Sequence, residues 1–275
     1  MKKLLKNEGF ESFIASIICI ILGLIIGYVV LLAIKPAGAS KAIVAVIKNF
    51  MYYPSGAAKI KYFGNTLVKT APLLMCSLSI LFAYKVGLFN IGASGQFTVG
   101  TCAALYLALG ANMPWYVCLI SAMVAGALLA AITGILKSYC NVNEVISCIM
   151  LNWISLYATN MILTKVKEST SPYTLVVANT NPKAILPSLG LGKLFSNNPY
   201  VTIAIPLSII LAIVIWVLLE KTTLGYELRA TGNNKNAAKY AGMNEKRNII
   251  LTMVIAGALS GLGGAFLYLS GFEQW

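Results

Sequence analysis

From Ile14 to Ile34 the chain runs without one charged side chain. Such a run has about 20 residues, the length a helix needs to cross a bilayer at 1.5 Å per residue. A signal peptide has a shorter apolar core and a small-residue cleavage site. The run behind MKKLLKNEGFESF therefore reads as a retained first transmembrane helix, over 14–34. Further apolar stretches follow at about 67–89, 97–111, 115–136, 145–163, 200–219 and 249–269. The fold class this predicts is all-α, a polytopic transmembrane helix bundle of about seven spans.

Composition agrees. Hydrophobic residues make up 59% of the chain and charged residues only 11%, against about a quarter in ordinary soluble domains. So little charge cannot coat a water-facing surface of this size, and much of the exterior must face lipid. The formal net charge of +13 sits on scattered lysines and not on a basic cluster of a soluble domain. Anionic lipid headgroups are the partner this suits, and nucleic acid is not expected. The chain has no His, and all eight of its acids are Glu. That excludes His-based acid–base chemistry and His metal sites. No metal site and no catalytic residue is expected. The six cysteines are isolated, form no CxxC pair, and read as small buried hydrophobes.

Two long connections separate the spans. Residues 35–66 predict an interfacial helix with Lys41, Ala45, Lys48 and Tyr52 near one face and Ile43, Val44, Ile47, Phe50 and Met51 as apolar surface. Residues 164–199 are rich in Pro, Asn, Ser and Thr and predict an exposed loop. Basic residues divide almost evenly between the two sides. Lys2, Lys3 and Lys6 beside the first span, with Arg229 and Arg247, favour a cytoplasmic N-terminus.

Polar residues interrupt the pattern at three places. The third apolar stretch covers only about 15 residues, roughly 22 Å against a hydrocarbon core of about 30 Å. To cross, it must take in Asn90-Ile-Gly-Ala-Ser-Gly-Gln96, giving a span over 90–111. Gly92 and Gly95 weaken a helix there. Polar, irregular backbone at membrane depth lines a cavity or is buried in protein, and broken helices recur at transporter sites. A plain cytoplasmic turn is the other reading. In the fifth span Cys148, Asn152, Ser155 and Thr159 share one face behind a candidate N-cap, Asn143. That stripe fits substrate contact or interhelical hydrogen bonding. The third place is the 220–248 link. Asn233 or Asn234 can cap a short helix, Gly242 can end it and Asn244 can cap the next. It is a docking surface or an ordinary solvated connection. Small residues four apart, Ala122, Gly126, Ala130 and Gly134 in one span and Gly257, Ser260, Gly261 and Gly264 in another, predict close helix packing.

Three stretches carry a family resemblance: FNIGASGQFTVG (89–100), NVNEVISCIMLNWI (141–154) and GYELRATGNNKNAAKYAGMNEKRNIILTMVIAGALSGLGGAF (225–266). Together they resemble the permeases of binding-protein-dependent ABC importers, in the nucleoside and simple-sugar branch, and are distantly similar to ribose permeases. The resemblance runs from about residue 60 to 270. It implies one transmembrane permease domain over 1–275, with 220–248 as a cytoplasmic coupling loop. It implies that Gly232, Asn233, Ala237, Ala238, Tyr240, Ala241 and Gly242 contact an ATPase subunit. It places Asn90, Gly92, Ser94, Gly95 and Gln96 near the substrate pathway, where Asn152 and Ser155 join them from the polar stripe. Many relatives have Glu where this chain has Ser94. Family members also continue with further helices, so the stop at Gly271-Phe-Glu-Gln-Trp275 reads as a C-terminal truncation.

The function this implies is import of nucleosides or related small solutes across a bacterial plasma membrane. Simple sugars are the alternative. The chain needs no cofactor of its own, because ATP belongs to the separate ATPase. A Walker A loop needs GxxxxGK[ST]. The nearest string, Gly190-Leu-Gly-Lys193-Leu194, lacks that spacing and the hydroxyl residue. The other partners implied are a second permease subunit, an extracellular substrate-binding lipoprotein and membrane lipids. An ion-coupled secondary transporter would place ionisable groups inside its spans, and these spans hold essentially none. A membrane enzyme would need a nucleophile–base pair, and none is visible.

Overall fold

The structure is a computed structural model and describes residues 8–275. Lys2, Lys3 and Lys6, which favour a cytoplasmic N-terminus, lie outside the described residues. Contacts divide the chain into two units, Met1–Ile60 and Lys61–Trp275.

In the first unit, helix α1 covers Glu8–Ile34. No residue of its apolar stretch Phe13–Ile34 is buried, and Ile20, Ile26 and Val29 are largely exposed. An all-round apolar helix with no protein cover is what lipid solvates. Helix α2, Pro36–Lys48, follows at once and runs into a 3-10 turn over Asn49–Tyr52. Pro36 stands at the start of the helix, where its missing N–H would have no partner anyway. A helix is present where one was predicted within 35–66, with Lys41 and Lys48 exposed and Ile43 and Ala45 half-buried.

The second unit is built on α3 (Gly56–Lys85, entering from the first unit), α4 (Ala93–Leu105), α5 (Trp115–Cys140) and α6 (Glu144–Leu163). Short helices α7 (Val177–Thr180) and α8 (Leu191–Leu194) precede α9 (Ala204–Lys221). Then come α10 (Thr223–Asn233), α11 (Lys235–Tyr240) and α12 (Glu245–Tyr268). Among the described residues six helices are long and apolar enough to cross a membrane: α1, α3, α5, α6, α9 and α12. The seventh predicted span, 90–111, differs in form. Only α4 is helical there, and it continues as one π turn over Tyr106–Gly110. The two together make about 27 Å at 1.5 Å per residue.

Helix α12 is the centre of the packing, with Met253, Ala256, Ala265 and Phe266 all buried. It meets α5 and α4 backbone to backbone. A Cβ on Gly126 would run into the Gly257 carbonyl, and one on Gly261 into the Ala122 carbonyl. A Cβ on Gly100 would stand 2.5 Å from the Gly261 Cα. Removing side chains from these faces allows the close approach, and dispersion contacts rather than hydrophobic exclusion hold helices together in lipid. The outer face of α5 stays apolar and open, through Ile120, Val124, Leu128 and Ile132.

The connection over 164–199 is exposed along much of its length, as its composition predicts, but buried anchors tie it down. Val166, Thr174, Val177, Asn181, Ala184, Leu186 and Asn198 are buried. The Asn181 side chain donates to the Ala108 and Met113 carbonyls, both at 2.9 Å. That of Asn198 donates to the Lys61 carbonyl at 2.9 Å and to Asn65 Oδ1 at 2.7 Å. The segment after α12 docks here too: Leu186 N–H donates to the Leu269 carbonyl and Thr174 N–H to the Trp275 carbonyl. A polar segment can be buried when its amides pair with backbone in this way.

Candidate translocation site and coupling surface

The break before α4 lies inside the bundle. Asn152 is eight residues into α6 (144 to 152), about 12 Å along its axis. Its Oδ1 accepts from Gly95 N–H at 2.9 Å, and its Nδ2 donates to the Ile91 carbonyl at 3.1 Å. Residues 91–95 therefore sit at that depth. Ser79, six residues before the end of α3, gives a similar figure of about 9 Å, because Asn90 Nδ2 donates to its hydroxyl at 3.0 Å. From Val86 to Gly92 the chain re-enters the bundle as non-helical backbone, and α4 begins within it.

The buried polar groups of this turn satisfy one another. Asn90 and Gln96, each 1% exposed, exchange two amide hydrogen bonds of 2.9 Å. Asn152 takes up one of the free N–H groups that every helix start leaves unpaired. Gly92 and Gly95 permit this closeness. A Cβ on Gly92 would stand 2.9 Å from Cys148 Sγ, and one on Gly95 would stand 2.6 Å from Asn152 Oδ1. Of the residues predicted near the pathway, Asn90, Gly92, Gly95 and Gln96 thus build the turn and expose little of themselves. Ser155 is buried beside Gly95, and among the described residues its hydroxyl has no partner. Ser94 alone among the seven is exposed, and Asn152 is half-buried. These two, with Thr98, Ile149, Trp153 and Leu156, line a hollow of about 340 Å³.

At the α3 end of this turn stands the polar 220–248 link. Thr222 caps α10 by accepting from Gly225 N–H. Asn234, one of the two predicted caps, accepts from Ala237 N–H at 3.1 Å, and Asn244 accepts from Arg247 N–H at 3.1 Å. Helix α11 ends in a Schellman turn: Met243 N–H donates to the Ala238 carbonyl and Gly242 N–H to the Lys239 carbonyl. Gly242 has φ +82°, the left-handed region that favours glycine. Tyr240 is 94% exposed. Asn233, Ala237, Ala241 and Gly242 are also exposed.

Two residues of the predicted contact set face inward. Ala238 is buried. Gly232 is pressed against the re-entrant turn, where a Cβ would collide with the Val86 carbonyl; Gly87 (φ +73°) lies on the other side, with room for no Cβ of its own. The link is tied to α12 through Asn248, whose Nδ2 donates to Thr231 Oγ1 at 2.9 Å. Arg229 and Glu220 pair at 2.9 Å. A hollow of about 870 Å³ opens between Lys221, Thr223, Tyr226, Arg229, Gly242 and Arg247. Lys137 and Glu144 close the α5–α6 turn with a 2.6 Å ion pair.

Sequence reasoning did not find the Asn90–Gln96 pair, the Asn181 clamp or the aromatic pair Trp153 and Tyr157. Trp153 and Tyr157 stand four apart on α6, and that spacing was the available signal. Among the described residues no group of three or more His, Cys, Asp or Glu lies together as a metal site would require.

Among the described residues six long apolar helices, with a broken helix packed on α5, α6 and α12, make this a multi-pass membrane protein. The family model described as "Branched-chain amino acid transport system / permease component" matches residues 62–275, and the chain belongs to that family of permeases. It is 35% identical to the guanosine ABC transporter permease protein NupP of Bacillus subtilis, over 97% of this chain and 74% of that protein. It is 32% identical to the nucleoside ABC transporter permease protein NupB of Lactococcus lactis, over 98% of this chain and 73% of that one. A glucose ABC transporter permease protein of Haloferax volcanii is 30% identical over 74% of this chain and 56% of its own length. No solved structure matches the chain.

Proposed function

We propose that this chain is the permease subunit of an ABC importer that carries nucleosides or closely related solutes across a bacterial plasma membrane. ATP is hydrolysed on a separate subunit, a second permease completes the pathway, and an extracellular lipoprotein delivers the solute. The N-terminus and the 220–248 link are cytoplasmic. The observation that carries this reading is the link itself. Its short α11, capped at both ends, presents Tyr240, Ala237 and Ala241 outward on a rigid base. A solvated connection has no need of three caps and a Schellman turn.

The geometry suggests how ATPase movement reaches the pathway. Force on α11 passes to α10, whose Gly232 abuts Val86 and Gly87. From there five residues lead to the α4 start, where Ser94 faces the 340 Å³ hollow. Rigid elements rocking about such a site fit alternating access. The substrate class rests on the two nucleoside-type relatives. Simple sugars are the second reading, favoured by the Haloferax likeness.

Co-purification with a candidate ABC ATPase from the same organism tests the reading. The test compares wild type, Gly242→Ala and Gly242→Glu. Any L-residue strains the left-handed backbone at 242, but nothing stands within 4 Å of a Cβ there. The alanine variant thus isolates strain, and the glutamate variant adds a charge to the docking face. Retention by wild type and Gly242→Ala with loss in Gly242→Glu is expected. Equal retention by all three would remove α11 from the interface.

A further inference from the structure

We propose that Trp153 and Tyr157 form the stacking wall for the base of the transported nucleoside, with Ser94 and Asn152 supplying its hydrogen bonds. This rests on the nucleoside reading above and assigns it a site on this chain.

The two rings stand one turn apart on α6, stacked with centroids 6.2 Å apart and planes 24° from parallel. They are 58% and 67% exposed. Trp153 lies near the middle of the helix and Tyr157 about two thirds of the way along it, about 14 Å and 20 Å from its first residue. Tryptophan and tyrosine that serve as lipid anchors sit at the two headgroup levels, where the polar tip meets water. These do not. Among the described residues neither the Trp153 Nε1–H nor the Tyr157 hydroxyl has a hydrogen-bond partner within the protein. A polar group facing hydrocarbon without a partner is costly, so both tips fit a wet pathway better than lipid.

What lies beside them has the chemistry of a heterocycle site. Trp153 shares its hollow with Ser94, Thr98, Asn152 and the apolar Ile149 and Leu156. Thr98 Oγ1 is committed to the Ser94 carbonyl. The Ser94 hydroxyl enters no hydrogen bond among the described residues. Asn152 uses one N–H and one lone pair on the turn, which leaves a second of each. A flat face flanked by one hydroxyl and one amide suits a planar, polar-edged ring. Small polar sites of this kind, apolar in their walls and few in their polar groups, are the general form of ligand pockets. The amide that recognises the base also pins the broken helix, so binding and the α4 start share a residue.

Uptake by cells expressing the full transporter, with the ATPase and the lipoprotein, tests the assignment. The variants are Trp153→Ala, Trp153→Phe and the double variant Trp153→Ala/Tyr157→Ala, and the solutes are guanosine and ribose. Loss of one stacking ring is expected to raise the nucleoside KM by roughly 5- to 150-fold. Trp153→Phe keeps a smaller ring and is expected to raise the KM less than Trp153→Ala does, and ATPase co-purification is expected to be unchanged. An unchanged KM in the double variant, in a transporter that imports guanosine, overturns the stacking wall and leaves the nucleoside reading standing. Ribose uptake weakened as much as guanosine uptake overturns base stacking in favour of sugar stacking. Wild type that imports ribose or glucose but no nucleoside sinks the nucleoside reading, and this assignment with it. Should the variants fail to assemble, photolabelling of the wild-type transporter with an 8-azidopurine nucleoside decides. Adducts within 149–157 that excess guanosine suppresses and ribose does not are expected; adducts confined elsewhere overturn the proposal.

Discussion

The link over 222–244 is shaped by its own side chains, whereas the connection over 164–203 is shaped by the rest of the bundle. In the first, Thr222, Asn234 and Asn244 each cap the helix that follows them, within three residues. Gly242 turns the chain back by a left-handed φ. In the second, Asn181 bonds to carbonyls 73 and 68 positions away, and Asn198 to groups 137 and 133 positions away. Both segments are polar, and both lie at ends of the helices. Locally folded structure can stand clear of the bundle and present a side chain such as Tyr240. Structure folded by distant partners becomes part of the bundle's end and has no such freedom. The first arrangement suits a surface that another protein must grip and move.

The difference predicts a large stability effect on one side. Asn181→Ala removes the donors to two carbonyls in a site where Asn181 is 5% exposed. The Met113 carbonyl lies at an exposed residue and keeps the Cys118 thiol, so the main loss is the buried Ala108 carbonyl left without its donor, about 1–3 kcal/mol. Cys118, fully buried beside the Met113 carbonyl, is a built-in reporter. Thiol labelling of Cys118 in detergent on heating is expected to begin at clearly lower temperature in Asn181→Ala than in wild type. An unchanged labelling curve would mean that the 164–203 connection is held by its apolar contacts and not by the clamp.

That division also explains what could be read in the chain and what could not. Caps are legible because the capping residue and the freed N–H are two or three positions apart. Asn143, Asn234, Asn244 and Gly242 were each visible in this way. That α5 and α12 each offer a close-packing face was visible because spacing of four alone puts Gly126 and Ala130, or Gly257 and Gly261, on one face; that the two faces meet each other was not. The re-entrant turn was legible in kind, since 97–111 is too short to cross, but its construction was not. Asn90 and Gln96 meet only because the chain breaks between them, and nothing local distinguishes two paired amides from two that face a pathway. Gly232 shows the same limit: a glycine in an exposed-looking link can serve a loop or a close approach, and its approach to Val86 was not legible. The buried anchors within 164–199 were hidden most completely. Its Pro, Asn, Ser and Thr content is that of a solvated loop, and only partners far along the chain change its meaning.

Asn248 tests the comparison from the other side, because it is the side chain that ties the link to the bundle. It is 1% exposed and donates to Thr231 Oγ1 at 2.9 Å, and more weakly to the Glu227 carbonyl at 3.5 Å. Asn248→Ala is expected to cost about 1–2 kcal/mol, less than Asn181→Ala, because Thr231 Oγ1 keeps its bond to the Glu227 carbonyl. The distinctive expectation is functional. ATPase co-purification should survive, since α11 keeps its caps, while ATP-driven uptake falls because α10 is no longer fixed to α12. Loss of both together would make the link depend on the bundle as the 164–203 connection does, and the contrast would fail.

The smallest expected effect is also the most specific. Asn234→Ala removes the cap of α11, and loss of an N-cap costs about 1 kcal/mol. Helix α11 is six residues long, far below the length at which a helix holds itself in water, so a loss of that size is a large share of its local stability. Hydrogen exchange at Ala237 and Ala238 should therefore quicken about fivefold, while thermal labelling of Cys118 stays at the wild-type temperature. The two readouts must separate if the link is an independently folded element. A cap deletion that lowers the Cys118 labelling temperature would show α11 to be coupled to the whole bundle. A deletion that leaves exchange unchanged would show α11 to be held by the burial of Ala238 and the Schellman turn, with the cap making no net contribution.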